Sequence, residues 1–358
     1  MMQAATLLVR SFRNLADAVL DLPAEGVALV GPNGHGKTNL LEALGYPVLF
    51  RSVRGAADRE VAQFGGPGFH VAVTLADGGE IATTWNSATR RKRIVVDGED
   101  QATITGALGR WLAVAFLPTD LALVQGGASE RRRWIDRMLS LADRAYLEAL
   151  LRYRAALAQR NAALRSADAR AAEAFDAPLV RSGVEIVQRR MAWAEGAAGP
   201  WQAELDALGE TAPVVLRYRG DESLIDIEAW AHKLAAARPR DLARGQTHVG
   251  PHRDDLVLQL GGHAVRDYGS TGQQRSAAIA MRLLELETLA TARGVRPALL
   301  VDDVFAALDA TRQARLAARL IARPGQRIVT APRAEDVPPE LLLPRWRVED
   351  GVVTQGMS

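Results

Sequence analysis

Cysteine is absent from all 358 residues, which excludes disulfides and thiolate-bound metals. Lysine is nearly absent: Lys37, Lys92 and Lys233 are the only lysines among 44 basic residues. In a chain that writes almost every cation as arginine, a retained lysine marks a place where arginine does not serve. No apolar run approaches the roughly 18 residues a membrane span needs. The opening residues lack the basic and apolar regions of a secretory signal. These absences lead to the expectation of a cytoplasmic protein in a reducing compartment, with no membrane partner. No His/Asp/Glu set has zinc spacing, so no structural metal is expected. No serine lies in a nucleophile elbow, which removes the Ser-His-Asp hydrolases.

What is present allows a sizeable core. The chain is 48% hydrophobic and 24% charged, and its length predicts two domains or lobes. The net charge of +2 is compatible with nucleic-acid binding without requiring it.

The N-terminal part reads as short strands. GVALV, residues 26–30, is a buried apolar strand that runs into GPNGHGKT. A helix follows from Thr38, and Gly45 and Pro47 should end it. Residues 69–100 alternate in the strand manner, and Asp77-Gly78 and Asp97-Gly98 predict hairpin turns. From about residue 120 the chain turns Ala-, Leu-, Arg- and Glu-rich. Tyr146, Leu150, Tyr153, Leu157 and Leu164 fall at helical spacing, with a gap at Arg160. Gly183, Gly196 and Pro200 should break this helical lobe and forbid a long coiled coil. Strands return after residue 243, with LVLQL-GG-HAVRDY as a hairpin. A helix then runs from about Gly272 to Arg293, the apolar strand ALLVDD follows, and a helix at 310–322 and a strand at 327–330 complete the pattern. Residues 332–344 are Pro-rich and read as loop. The expected architecture is α/β, one unit split by an inserted, mainly helical lobe: 1–118, then the lobe 119–244, then 245–358.

Gly31-Pro32-Asn33-Gly34-His35-Gly36-Lys37-Thr38 matches the phosphate-loop pattern. Glycines let successive backbone N–H groups converge on phosphate oxygens. Lys37 reaches the β and γ phosphates, and the Thr38 hydroxyl ligates Mg²⁺. The helix N-terminus adds a favourable field. His35 reads as a filler contributing its N–H. A strand before and a helix after are the context this motif demands.

ALLVDD, residues 298–303, is an apolar strand ending in two acids. Asp302 is placed to hold Mg²⁺ through water, and Asp303 to orient or deprotonate the attacking water. Aspartate is one methylene shorter than glutamate, so slow ATP turnover is expected. A second loop, DYGSTGQQRSA at 267–277, is small and polar. Ser270, Gly272 and Gln273 look like a helix start that receives an anion.

Ser270-Thr-Gly-Gln-Gln-Arg275 resembles the signature loop of ABC-type ATPases in its RecF form. Gly250-Pro-His-Arg-Asp-Asp-Leu256 is similar to a RecF block. So is Ser11-Phe-Arg13-Asn14 followed by GPNGHGKTNLLEAL, which brings in Arg13 and Asn39. Arg51-Ser-Val-Arg54, Arg131 to Arg133, Gln159-Arg-Asn161 and DDVFAALD from Asp302 match smaller blocks, in family order. The resemblance implies an ABC-type P-loop ATPase head with ATP and Mg²⁺ as cofactors. It implies an ATP-dependent homodimer in which Ser270, Gly272 and Gln273 close over the partner's nucleotide. It also implies double-stranded, gapped or junction DNA as partner, with RecR, and with RecO and RecA downstream. Gln63 is the candidate nucleotide-sensing glutamine, and Thr330 stands where related ATPases keep a γ-phosphate sensor.

DNA should meet arginines along its phosphates, with strong salt dependence. The candidates are Arg90, Arg91, Lys92 and Arg93 on a hairpin, Arg51 and Arg54 after the loop helix, and Arg131 to Arg133, which could instead pair with Glu130 and Asp136. Three other readings compete. An SMC-like tethering head needs a long coiled coil. A transporter ATPase needs a membrane partner. A small-molecule kinase leaves the GQQR loop unexplained.

Overall fold

The computed structural model describes residues 2–357. The chain forms two compact units: residues 1–120, 207–209 and 285–358, and residues 121–206 and 210–284. The first boundary lies two residues from the expected one. The last differs more: residues 245–284 were expected with the head, and they group with the helical unit. The reason is strand pairing. β9 (Val214–Arg219) and β10 (Asp255–Leu260) pair antiparallel along their whole length, and β11 (His263–Ala264) completes the sheet.

The first unit has two sheets. One is antiparallel: β1 (Ala4–Arg10), β2 (Ala18–Asp21), β4 (Gly68–Leu75), β5 (Glu80–Asn86), β6 (Arg91–Val96) and β7 (Glu99–Asp100), in the order β2-β1-β4-β5-β6-β7. Asp97 and Gly98 both have positive φ, 50° and 83°, the backbone a tight hairpin turn requires. The other sheet has the order β15-β14-β3-β13-β12-β8. β3 (Gly26–Val30), β8 (Ala113–Phe116), β12 (Ala298–Asp302), β13 (Arg327–Ala331) and β14 (Arg345–Glu349) run parallel, and β15 (Val352–Met357) returns along the edge. β3 and β12 are buried at every residue, as strands covered on both faces must be.

α1 (Lys37–Leu49) packs against strands of both sheets. It does not end at Gly45 or Pro47 as expected. Tyr46 explains why. Its ring meets Phe12 and Phe69 edge-on at 6.2 and 5.1 Å, and its hydroxyl donates to Asp58 at 2.5 Å. A proline inside a helix costs about 3 kcal/mol, and burial of the whole Leu40–Val48 face offsets it. Gly45 is needed because a Cβ there would sit 2.8 Å from Val53. α7 (Ala310–Ile321) also belongs to this unit, and residues 334–336 and 339–341 form short 3₁₀ turns inside the expected loop.

The second unit holds α2 (Ala128–Ala142), α3 (Arg144–Arg165), α4 (Asp176–Leu208) and α5 (Ile227–Arg244). α4 is continuous for 33 residues and passes through Gly183, Gly196 and Pro200, which were expected to break it. Gly183 serves packing: a Cβ there would lie 2.0 Å from the Trp230 ring. Tyr146, Leu150, Tyr153 and Leu164 are buried as their spacing predicts. So is Arg160, at 0% exposure. The gap in the apolar stripe is itself core. α6 (Thr271–Arg293) carries the division between the two units. Among the described residues no helix is long and apolar enough to cross a membrane.

Candidate functional site

β3 delivers the chain into the glycine loop at the carboxyl end of the parallel sheet, where such sheets bind ligands. Gly31, Gly34 and Gly36 have φ of 155°, 84° and 112°, a region that disfavours side chains. A Cβ on Gly31 would collide with Val348 O at 2.2 Å. Asn14 Nδ2 donates to Gly34 O at 3.1 Å. The turn between β14 and β15 braces the other side: Gly351 N donates to His35 O at 2.9 Å, and Asp350 N to His35 Nδ1 at 3.1 Å. His35 therefore does more than fill the loop, since its ring accepts from the hairpin.

Lys37 opens α1 and is 4% exposed. Its Nζ donates to Gly31 O at 2.7 Å and Pro32 O at 2.9 Å. No carboxylate pairs with it among the described residues. A buried ammonium costs several kcal/mol unless compensated, and two carbonyl dipoles leave its charge uncancelled. The loop thus presents a net positive, donor-rich cradle at a helix N-terminus, with no acid in the first turn of α1. This donor set fits a polyphosphate.

The neighbouring strand ends supply oxygens. Register sets Thr330 of β13 beside Asp302 of β12 on one side and Leu29 of β3 on the other. Thr38 Oγ1 and Thr330 Oγ1 each lie 2.8 Å from Asp302 Oδ1. Burial raises the Asp302 pKa, and the bonds from Thr330 and Thr38 and the field of Arg54 oppose the rise. Thr38 and Asp302 are hard oxygen donors within one coordination shell of each other, which suits Mg²⁺. Asp303 leaves the strand at φ 49°. Its N–H donates to Thr330 Oγ1 at 2.9 Å, and its Oδ1 lies 3.2 Å from the same hydroxyl. Sequence motif and sheet register bring Lys37, Thr38, Asp302, Asp303 and Thr330 together.

Beside the loop lies a cavity of about 970 Å³. Arg13, Asn14, Asn39, Gln63 and Arg90 are among its lining residues. Gln63 is exposed, and the neighbouring Phe64 is fully so. Another glutamine was missed. Gln125, immediately before the long helices, donates to Gln274 of α6 at 2.7 Å. It hides in the sequence because its partner is 149 residues away.

The expected DNA cluster at 90–93 divides. Lys92 Nζ donates to Phe50 O at 2.5 Å and pairs with Asp58 at 2.9 Å. Arg93 pairs bidentately with Asp100 at 2.6 and 2.8 Å. Arg90 and Arg91 are exposed. Arg51 is exposed too, while Arg54 donates to Asn39 Oδ1 at 3.0 Å.

The block at 250–255 is a lock in the second unit. Arg131 is buried and bidentate to Asp255 at 2.7 and 3.0 Å. Arg132 donates to Asp254 O, and Arg133 pairs with Glu130. Asp136 pairs instead with Arg154 and the buried Arg190. Arg160 is bound to Asp176 at 2.7 Å and Asp241 at 2.8 Å. His252 bridges Tyr153 and Thr247. The Thr247 carbonyl can only accept, so Nε2 donates to it at 3.0 Å, and Nδ1 accepts from the Tyr153 hydroxyl at 2.6 Å. That arrangement needs a neutral ring, and burial lowers its pKa to about 4.

At the start of α6, Ser270 and Gln273 cap each other. Ser270 N donates to Gln273 Oε1 at 2.9 Å, and Gln273 N to Ser270 Oγ at 3.2 Å. This is a capping box. Ser270 itself remains exposed.

No protein-family model matches the chain. It is 37% identical to the DNA replication and repair protein RecF of Anaeromyxobacter sp. (strain Fw109-5), over 92% of each chain. It is 38% identical to the protein of the same name from Deinococcus deserti, over 88% of this chain and 86% of that one. A solved structure of the recombination mediator protein RecF with ATP, in the RecFOR pathway, superposes with a TM-score of 0.91 and 29% identity, covering 99% of this chain and 98% of that one. The Smc head domain of Pyrococcus furiosus, 16% identical, superposes with a TM-score of 0.56. The fold is that of ABC-type ATPase heads.

Proposed function

The chain belongs to the RecF family of DNA replication and repair proteins, and from that premise we propose that it is an ATP-driven recombination mediator. ATP binds at residues 31–39, with Lys37 and the loop N–H groups on its phosphates. Mg²⁺ is held by Thr38 and Asp302, directly or through water, and supplies charge neutralisation at the β and γ phosphates. Asp303 orients the attacking water, and Thr330 fixes both acids. Turnover is slow, and DNA raises it. The observation that carries this reading is Lys37: a buried cation with no acidic partner among the described residues, 2.7 Å from the loop's own carbonyl.

ATP joins two protomers, with Ser270, Gly272 and Gln273 of one meeting the nucleotide of its partner. Exposed arginines, Arg90 and Arg91 among them, follow DNA phosphates at gapped or single-strand/double-strand junctions. RecR and RecO then act with the dimer to load RecA, in the cytoplasm. The SMC-like tethering reading has the fold likeness behind it. It lacks the rod: among the described helices the longest has 33 residues.

Sedimentation with and without ATP, on wild type and Ser270→Arg, tests the composite site. The expected result is ATP-dependent dimers for wild type and monomers for Ser270→Arg at the same ATP occupancy. ATP-dependent dimers that survive the substitution unaltered would sink the composite site.

A further inference from the structure

Glu42 lies in α1, one turn beyond the phosphate loop, and is 0% exposed. Three side chains on two chain segments send donors to it. Arg13, in the turn after β1, donates from Nε and Nη2 at 3.0 Å each. Ser52, in the turn after α1, donates its hydroxyl. Arg54 approaches with Nη1 at 3.5 Å. The same Arg54 nitrogen donates to Asn39 Oδ1 at 3.0 Å, Asn39 Nδ2 to Asn14 Oδ1 at 2.7 Å, and Asn14 Nδ2 to Gly34 O at 3.1 Å. One line of hydrogen bonds therefore connects a buried carboxylate to the phosphate loop. Arg13 completes the other branch, with Nη1 on Glu60 O at 2.6 Å, and forms part of the wall of the 970 Å³ cavity beside Asn14 and Asn39.

The charges explain the design. Two guanidinium groups share one carboxylate, so the three side chains together carry a net positive charge. Arg13 is held at φ 54°, a conformation a non-glycine residue keeps only when its surroundings impose it. Arg54 is 43% exposed and would wander without its two anchors, since a long side chain loses entropy when fixed. A buried carboxylate that bonds only to groups around a ligand loop acts by holding them.

We propose that Glu42 is a positioning residue for the nucleotide: through it Arg13 and Arg54 are fixed at the mouth of the phosphate loop. The proposal rests on nucleotide binding at residues 31–39. Glu42→Gln keeps the shape and removes the charge. The expected result is a rise in the ATP dissociation constant and in KM of about tenfold or more, with kcat changed far less. Glu42→Asp should recover part of the loss. The deciding measurement is made in the Arg13→Gln/Arg54→Gln background, which also relieves the charge imbalance if Glu42→Gln alone folds poorly. There, adding Glu42→Gln should change ATP affinity less than about twofold, because its clients are gone. A further loss of about tenfold in that background overturns the proposal. Wild type that binds no ATP removes the nucleotide reading itself, whereas wild type that binds ATP with a Glu42→Gln indistinguishable from it removes only the role of Glu42.

Discussion

Lys37 in the first unit and Arg160 in the second are both cut off from water, at 4% and 0% exposure. Their partners differ completely. Arg160 meets Asp176, Asp241 and Thr247 at 2.7 to 2.8 Å. Lys37 meets two backbone carbonyls of its own loop. A buried cation matched by carboxylates has its charge balanced where it stands, even though Arg160 Nη2 meets no hydrogen-bond acceptor among the described residues. A buried cation matched only by dipoles keeps a field that another anion can complete. Burial alone therefore does not mark a functional cation; the missing carboxylate does. Arg131 and Arg190 follow Arg160, the first fixed to Asp255 and the second to Asp136.

The contrast breaks most readily at Lys37. Lys37→Ala should weaken ATP binding by roughly 100-fold, since a charge-assisted bond to phosphate is worth about 1.5–3 kcal/mol and more than one is lost. Its melting temperature should stay at or above that of wild type, because no anion is orphaned. Nucleotide titration and a thermal melt on the same sample check both halves. Arg160→Met should do the reverse. Asp176 and Asp241 lose their shared cation, and a cost of about 3–5 kcal/mol in unfolding free energy follows. The fraction that remains folded should bind ATP with wild-type affinity. Equal loss of ATP binding in Arg160→Met and Lys37→Ala would erase the distinction drawn here.

His252 sharpens the comparison with pH. Its folded pKa, about 4, lies below the ordinary 6.5, so the folded state prefers the neutral ring. The stabilisation is full above 6.5 and is lost as pH falls toward 4, about 3 kcal/mol in all. Denaturant unfolding at pH 7 and pH 4.5 should show a larger fall for wild type than for His252→Asn. A fall of the same size in both removes His252 from the acid sensitivity. The smallest effect is expected at the start of α6. Ser270→Ala removes one half of the capping box and should cost about 1 kcal/mol in unfolding; a calorimetric melt unchanged by the substitution would show that the cap contributes nothing there.

The nucleotide loop was legible because its chemistry is local. Glycines at fixed spacing, one lysine and one threonine act through the backbone that joins them, and they lie between β3 and the first turn of α1. The strand carrying Asp302 was legible for the same reason. The cations were not. Lys92 and Arg93 read as a DNA-facing run, yet Lys92 is engaged by Asp58 and Phe50, and Arg93 by Asp100. Arg131 read as surface and is buried against Asp255, 124 residues away. A charge in a sequence carries no record of a partner that far along the chain.

The sequence by itself determined where backbone conformation and short-range spacing decide the outcome: the phosphate loop, the acid-ended strand and the hairpin turns. Tertiary structure alone decided which helices outlast their glycines and prolines and which cations are spent. α1 continues through Pro47 because Tyr46 has Phe12 and Phe69 to meet. α4 continues through Gly183 because Trp230 fills the space a side chain would take. The physical reason is the same in each case. Helix propensity and charge are properties of one residue, whereas burial and pairing are properties of two, and the second residue is supplied only by the fold.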